Sequence, residues 1–127
     1  MESKIPGSTD LKILYNFTYR LSGNIEVAKS LTEKAFLSCV NKSSDEVTLL
    51  KWAWEKFLLT SNKALYPKQD GEENILPLLE PELRCAVILR DIIGYSYEQI
   101  GKVLNKSKQE VAVVISLGRQ EIREKVS

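Results

Sequence analysis

Apolar residues recur along this chain at steps of three and four, and that pattern predicts six helices and no strand. The first helix runs from Asp10, as N-cap, to Leu21, burying Leu11, Leu14, Tyr15 and Leu21, and Gly23 stops it. Asn24 caps the second, whose stripe is Ala28, Leu31, Ala35, Phe36 and Cys39. Ser43 with Glu46 reads as a capping box for the third, in which Val47, Leu50, Trp54, Phe57 and Leu58 share a face. The pattern then breaks between Tyr66 and Leu79, where Pro67, Gly71 and Pro77 punctuate a stretch of clustered charge. Pro81 sits at the first position of a fourth helix, where its missing N–H costs nothing, and Leu83, Val87, Ile88 and Ile92 supply its apolar side before Gly94.

The last third carries the most specific punctuation. Ser96 and Gln99 form an S-x-x-Q capping box for a short helix over Tyr97–Leu104, with Tyr95 placed to staple onto Ile100. Asn105 tolerates the left-handed conformation that ends it. Ser107 and Glu110 form a second box, opening a helix that runs to about Val126. Gly101 permits a close crossing of the two helices and Val111 fills the angle between them. Two helices joined by so short a turn match the helix-turn-helix unit. The expected architecture is all-α: two small helical lobes, a bundle over 1–65 and a three-helix unit over 80–127, joined by a linker at 66–79.

Composition narrows the function. Of 127 residues, 43% are hydrophobic and 28% charged, the balance of an ordinary globular protein. No apolar run approaches the ~20 residues that cross a bilayer, and Met1–Pro6 lacks the apolar core of a signal peptide, so a cytosolic protein with no membrane partner is expected. Cys39 and Cys85 fit that compartment as small buried hydrophobes. The chain has no histidine, which removes the commonest general base and zinc ligand, and it has no glycine-rich phosphate loop. No catalytic residue, metal site or cofactor is therefore assigned, and the acidic run Asp70, Glu72 and Glu73 reads as a solvated linker.

Beyond the punctuation, LLEPELRCAVILRDIIGYSYEQIGKVLNKSKQEV resembles the fourth conserved region of extracytoplasmic-function RNA polymerase sigma factors. LYNFTYRLSGNIEVAKSLTEKAFL is similar to the start of their second region, and the helix of Trp52 and Trp54 to the tryptophan helix that follows. The resemblance implies that the first lobe docks core RNA polymerase, through Lys29, Ser30, Thr32, Glu33 and Phe36. It implies that the second lobe reads promoter DNA in the major groove. There Ser107, Lys108, Gln109, Ala112 and Ser116 would face bases, and Lys106, Arg119 and Arg123 would grip phosphates.

The chain departs from that pattern in three places. Lys29, Ser30 and Glu33 replace the family's acidic pair and glutamine, which alters the charge offered to the polymerase. The tryptophan helix carries Lys51, Lys56 and Lys63 but no arginine; Trp52 lies off the apolar stripe, as a stacking platform or as core packing. In the recognition helix Ala112, Val113 and Val114 stand where the family has polar or basic residues, and Leu117 where it has arginine. From Leu76 onward eight basic residues meet seven acidic ones, a shallow electrostatic footprint for a DNA reader. Val113, Val114 and Leu117 therefore either pack on the first lobe or the linker, or form a protein contact. The second reading is a sigma-like interaction module whose partner is a second copy, an anti-sigma-type regulator or another sigma subunit.

Overall fold

The computed structural model describes residues 8–39, 45–60, 76 and 79–126. Among them the chain forms α1 (Ser8–Ser22), α2 (Ile25–Cys39), α3 (Glu46–Thr60), α4 (Pro81–Val87), α5 (Tyr97–Leu104) and α6 (Lys108–Val126), with no strand. The fold is all-α, as the periodicity requires.

α1 and α2 form an antiparallel hairpin. Gly23 closes it at φ 67°, a left-handed conformation in which its N–H donates to the Tyr19 carbonyl at 2.8 Å. Asn24 caps α2 by accepting the Val27 N–H at Oδ1, 3.0 Å away. α1 starts at Ser8, so Asp10 lies in its first turn rather than at the cap. Its buried side is Leu14, Phe17, Thr18 and Leu21. Tyr15, expected in the core, is instead exposed and stacks on Tyr19, ring centroids 6.2 Å apart. The Tyr15 ring is hydrophobic enough to suit the stripe, but Phe17 and Thr18 take the inner face.

The cap of α3 is Asp45, whose Oδ1 accepts the Thr48 N–H at 3.0 Å; hydrogen bonds from the Thr48 side chain first, then its backbone, lower the Asp45 pKa. Ser43, the expected partner of Glu46, lies outside the described residues. Leu49, Leu50, Ala53, Trp54 and Phe57 fill the inner face, while Leu58 is exposed, one step beyond the stripe's edge. Trp54 stacks on Phe57 in the core. Trp52 packs partly buried against the same core with the Lys56 ammonium 5.3 Å over its ring, which fits packing better than an open platform.

Pro81 stands at the start of α4, preceded by Glu80 in the extended conformation that a residue before proline adopts. α4 continues as a π-helical segment, Ile88–Ile93, ended by Gly94 at φ 91°. That wider winding explains a second misplacement. In an α-helix Ile92 would return to the side of Ile88; with bonds spanning five positions instead of four, Ile93 turns toward the core and Ile92 is left exposed. Cys85 is fully buried here as a free thiol, its pKa pushed up by burial; the Cys39 side chain lies outside the described residues.

The two helix groups share one hydrophobic cluster, from Leu14 and Phe17 through Leu50 and Phe57 to Ile88, Ile100 and Ile115. α3 packs on α5, and α1 on the π segment. Arg84 crosses the junction, buried, donating to the carbonyls of Leu21 (2.7 Å), Leu79 (2.8 Å) and Leu76 (3.0 Å). The Leu21 carbonyl belongs to the last turn of α1, where unpaired carbonyls and the negative end of the helix dipole suit a guanidinium. Tyr95 makes a second link, its hydroxyl donating to the Glu46 carboxylate. Burial first, then this carboxylate, raise the Tyr95 pKa. The expected linker 66–79 falls outside the described residues except for Leu76 and the buried Leu79.

Candidate nucleic-acid interface

Local sequence sets the helix-turn-helix. Ser96 Oγ accepts the Gln99 N–H at 3.0 Å while Gln99 Oε1 accepts the Ser96 N–H at 2.9 Å. Ser107 and Glu110 repeat the exchange at 3.1 and 2.8 Å. The Ser107 N–H lowers the Glu110 pKa, so this carboxylate at the start of α6 is a helix cap. Between the boxes Asn105 adopts φ 61°, ψ 50°, and the Lys106 N–H bonds the Gly101 carbonyl at 2.9 Å. A Cβ at Gly101 would stand 2.5 Å from the Lys106 carbonyl oxygen, so this position needs glycine for the turn to close. Val111 and Ile115 point inward, and Gly118 lets α6 cross α4 against Val87 and Leu83.

This frame brings part of the expected DNA-facing set together. Ser107, Lys108, Gln109 and Ser116 are exposed and Ala112 half-buried, on the outward side of the N-terminal half of α6. The residues expected to grip phosphates divide differently. Lys106 is ion-paired to Glu82 at 3.2 Å. Arg119 makes a two-pronged pair with Asp91, Nε–Oδ2 3.0 Å and Nη2–Oδ1 2.5 Å, which lowers the Asp91 pKa and raises that of Arg119. That pair braces α6 to the π segment. Arg123 is exposed about 22 Å along the helix from Lys108, at ~1.5 Å per residue.

The apolar trio also splits. Val114 is 8% exposed and belongs to the core, so it is corrected out of any contact surface. Val113 and Leu117 stay open at 59% and 48%, with no described element of the first lobe covering them. Val114 lies three residues beyond Val111 and turns inward with it and Ile115; Val113 and Leu117, four apart, occupy the adjoining outer strip.

Sequence reasoning passed over three basic residues here. Arg90 donates to the Tyr95 carbonyl at 2.8 Å, lies 4.8 Å over the Tyr97 ring, and lines a hollow with Ser96, Glu98 and Lys108. Lys102 projects from the exposed side of α5, and Lys51 faces the turn from α3. Lys102 follows Glu98 at i+4, a spacing that marks a shared face; nothing local relates Lys51 to the turn.

On α2, Lys29 and Glu33 are exposed, and Ser30 and Phe36 are half-buried. Thr32 is turned toward α1, its hydroxyl 3.0 Å from that of Thr18, so it helps hold the hairpin together. Among the described residues no helix is long and apolar enough to cross a membrane.

Residues 73–122 match the family described as sigma-70, region 4. The chain is 30% identical over 144 positions to the ECF RNA polymerase sigma factor SigE of Mycolicibacterium smegmatis, covering 87% of this chain and 56% of that protein. It thus spans about half the length of this curated relative. A chain in the co-crystal structure of the sigma factor RpoE with the anti-sigma factor NepR from Bartonella quintana superposes with a TM-score of 0.70 over 91% of each chain. At 19% identity that likeness shows the fold alone.

Proposed function

We propose that this chain is a short and divergent protein of the extracytoplasmic-function sigma-factor type, a reading its region 4 match and its similarity to SigE support, and that it acts in transcription initiation by reading promoter DNA with its C-terminal helix-turn-helix and docking RNA polymerase with its N-terminal lobe. One observation carries the DNA half: the two-box turn presents Ser107, Lys108, Gln109, Ala112 and Ser116 on one open side of α6. The Gln109 amide and Lys108 ammonium offer hydrogen bonds to base edges, and Ala112 allows close approach. Residues 80–127 are the region-four-like unit in this reading and 1–65 the region-two-like unit. Lys29, Ser30, Glu33 and Phe36 are the polymerase-facing residues of α2. Thr32 serves this surface from within, through Thr18. An anti-sigma-type regulator is a further expected partner.

Fluorescence anisotropy with promoter DNA at low salt tests the DNA reading. Lys108→Ala with Gln109→Ala should weaken specific binding by about tenfold or more, since one good base contact contributes about 1–3 kcal/mol. No binding at micromolar protein sinks it. Co-purification with core RNA polymerase tests the docking half.

Exposed Val113 and Leu117 favour a second reading, in which α6 is a protein-contact face for a second copy or a regulator. A monomeric protein whose sedimentation is unchanged by Leu117→Asp removes the dimer version.

A further inference from the structure

Where α3 meets the turn of the helix-turn-helix, the surface opens into a cleft of about 650 Å³. Four lysines line it, Lys51 from α3 and Lys102, Lys106 and Lys108 from the second lobe, against two carboxylates, Asp45 and Glu98. The lining charge is thus +2, from four cations less two anions. The groups are not equally engaged. Asp45 is occupied as the α3 cap, and Lys106 is paired with Glu82. Lys51 reaches Glu55 only at 4.0 Å with both side chains exposed, a weak tie. Gly101 leaves part of the wall without a side chain.

Lys51 is held near the turn by the packing of α3 on α5 and by the bond from Tyr95 to the Glu46 carboxylate at the start of α3. Lys108 also lines the smaller hollow with Arg90, Ser96 and Tyr97, so basic residues flank both sides of the reading end. Several ammonium groups lining one roomy cleft suit a ligand of spaced phosphates.

We propose that this cleft is a phosphate-binding site built by both lobes, in which Lys51 of the first lobe acts beside Lys102 of the second. Its phosphates come from a nucleic-acid backbone or from a free polyphosphate. The backbone version rests on the DNA reading above; the free version does not.

The test uses the full chain carrying Lys51→Gln and Lys102→Gln, with Lys12→Gln and Lys34→Gln as a control of equal charge elsewhere. In anisotropy with duplex DNA, the cleft variant should bind about tenfold more weakly at 50 mM salt. Its slope of log affinity on log salt should fall by roughly 1.8, two contacts at about 0.9 each. In a thermal melt, inorganic tripolyphosphate should raise the midpoint of the native chain and not that of the variant. A DNA effect confined to the cleft variant supports the backbone source. A tripolyphosphate shift in a protein that binds no DNA supports the free source and fails the DNA reading alone. Equal losses in cleft and control variants without a cleft-dependent melt shift overturn the site, as does an unchanged variant in both assays.

Discussion

The turn between α5 and α6 and the turn between α1 and α2 both bring helices into contact, by different means. At the first, backbone does the work: Asn105 takes φ 61°, Gly101 lies against the Lys106 carbonyl, and a capping box stands on either side. At the second, glycine supplies the bend, but side chains hold the arms. Thr18, fully buried, bonds across to Thr32, and Ser22 bonds back to the Thr18 carbonyl at 2.7 Å. Backbone-built turns fix the direction of the helix that follows them, which a reading helix requires. Side-chain zippers fix contact and leave the outer face of α2 to other uses.

The comparison breaks hardest where the turn meets its own core. Val114→Asp buries a charge among apolar neighbours and should cost about 3–5 kcal/mol, with loss of folded protein in urea titration. Leu117→Asp, three residues away, should change stability by less than about 0.5 kcal/mol. Equal effects would mean that α6 is rotated from the orientation described.

A matched pair then sharpens the contrast between the turns. Gly101→Ala places a methyl into the Lys106 carbonyl and should destabilise by about 1–3 kcal/mol while misdirecting α6, so that DNA binding falls more than stability. Thr18→Val keeps the shape but removes the hydroxyl that faces Thr32, costing about 1–2 kcal/mol, with the second lobe's DNA binding unchanged. Chemical denaturation and anisotropy on the same samples decide both. A DNA defect in Thr18→Val would erase the distinction.

The same contrast explains what was legible in the sequence. Both capping boxes, the Asn105 turn and the limits of α5 follow from residues within four positions of one another, so the helix-turn-helix could be read directly. Tyr15, Leu58 and Ile92 were misplaced, and Val114 was left open between packing and contact, because inside and outside are decided by neighbours distant in sequence. Ile92 also depended on a π segment that no local residue signals. The cleft was hidden for the same reason: Lys51 and Lys102 are half a chain apart and meet only through α3–α5 packing. Nothing within a few positions of Arg84 signals its burial, which needs the end of α1 to be in place.

The smallest expected effect tests whether the second lobe's own ion pair competes with DNA. Arg119 holds the Asp91 carboxyl below its ordinary value, so the pair's contribution is complete above about pH 5. It is lost as pH falls through the lowered folded-state pKa. Both side chains are partly exposed, so the contribution is under about 1 kcal/mol. Asp91→Asn should be less stable than the native chain by that amount at pH 7, and the gap should close in urea titrations once pH falls below the lowered folded-state pKa of Asp91. At neutral pH the same variant releases Arg119, which would then gain a phosphate and tighten DNA binding severalfold. Weaker binding would instead place the pair among the supports that aim α6, joining Gly101 and Asn105 on the backbone side of the comparison.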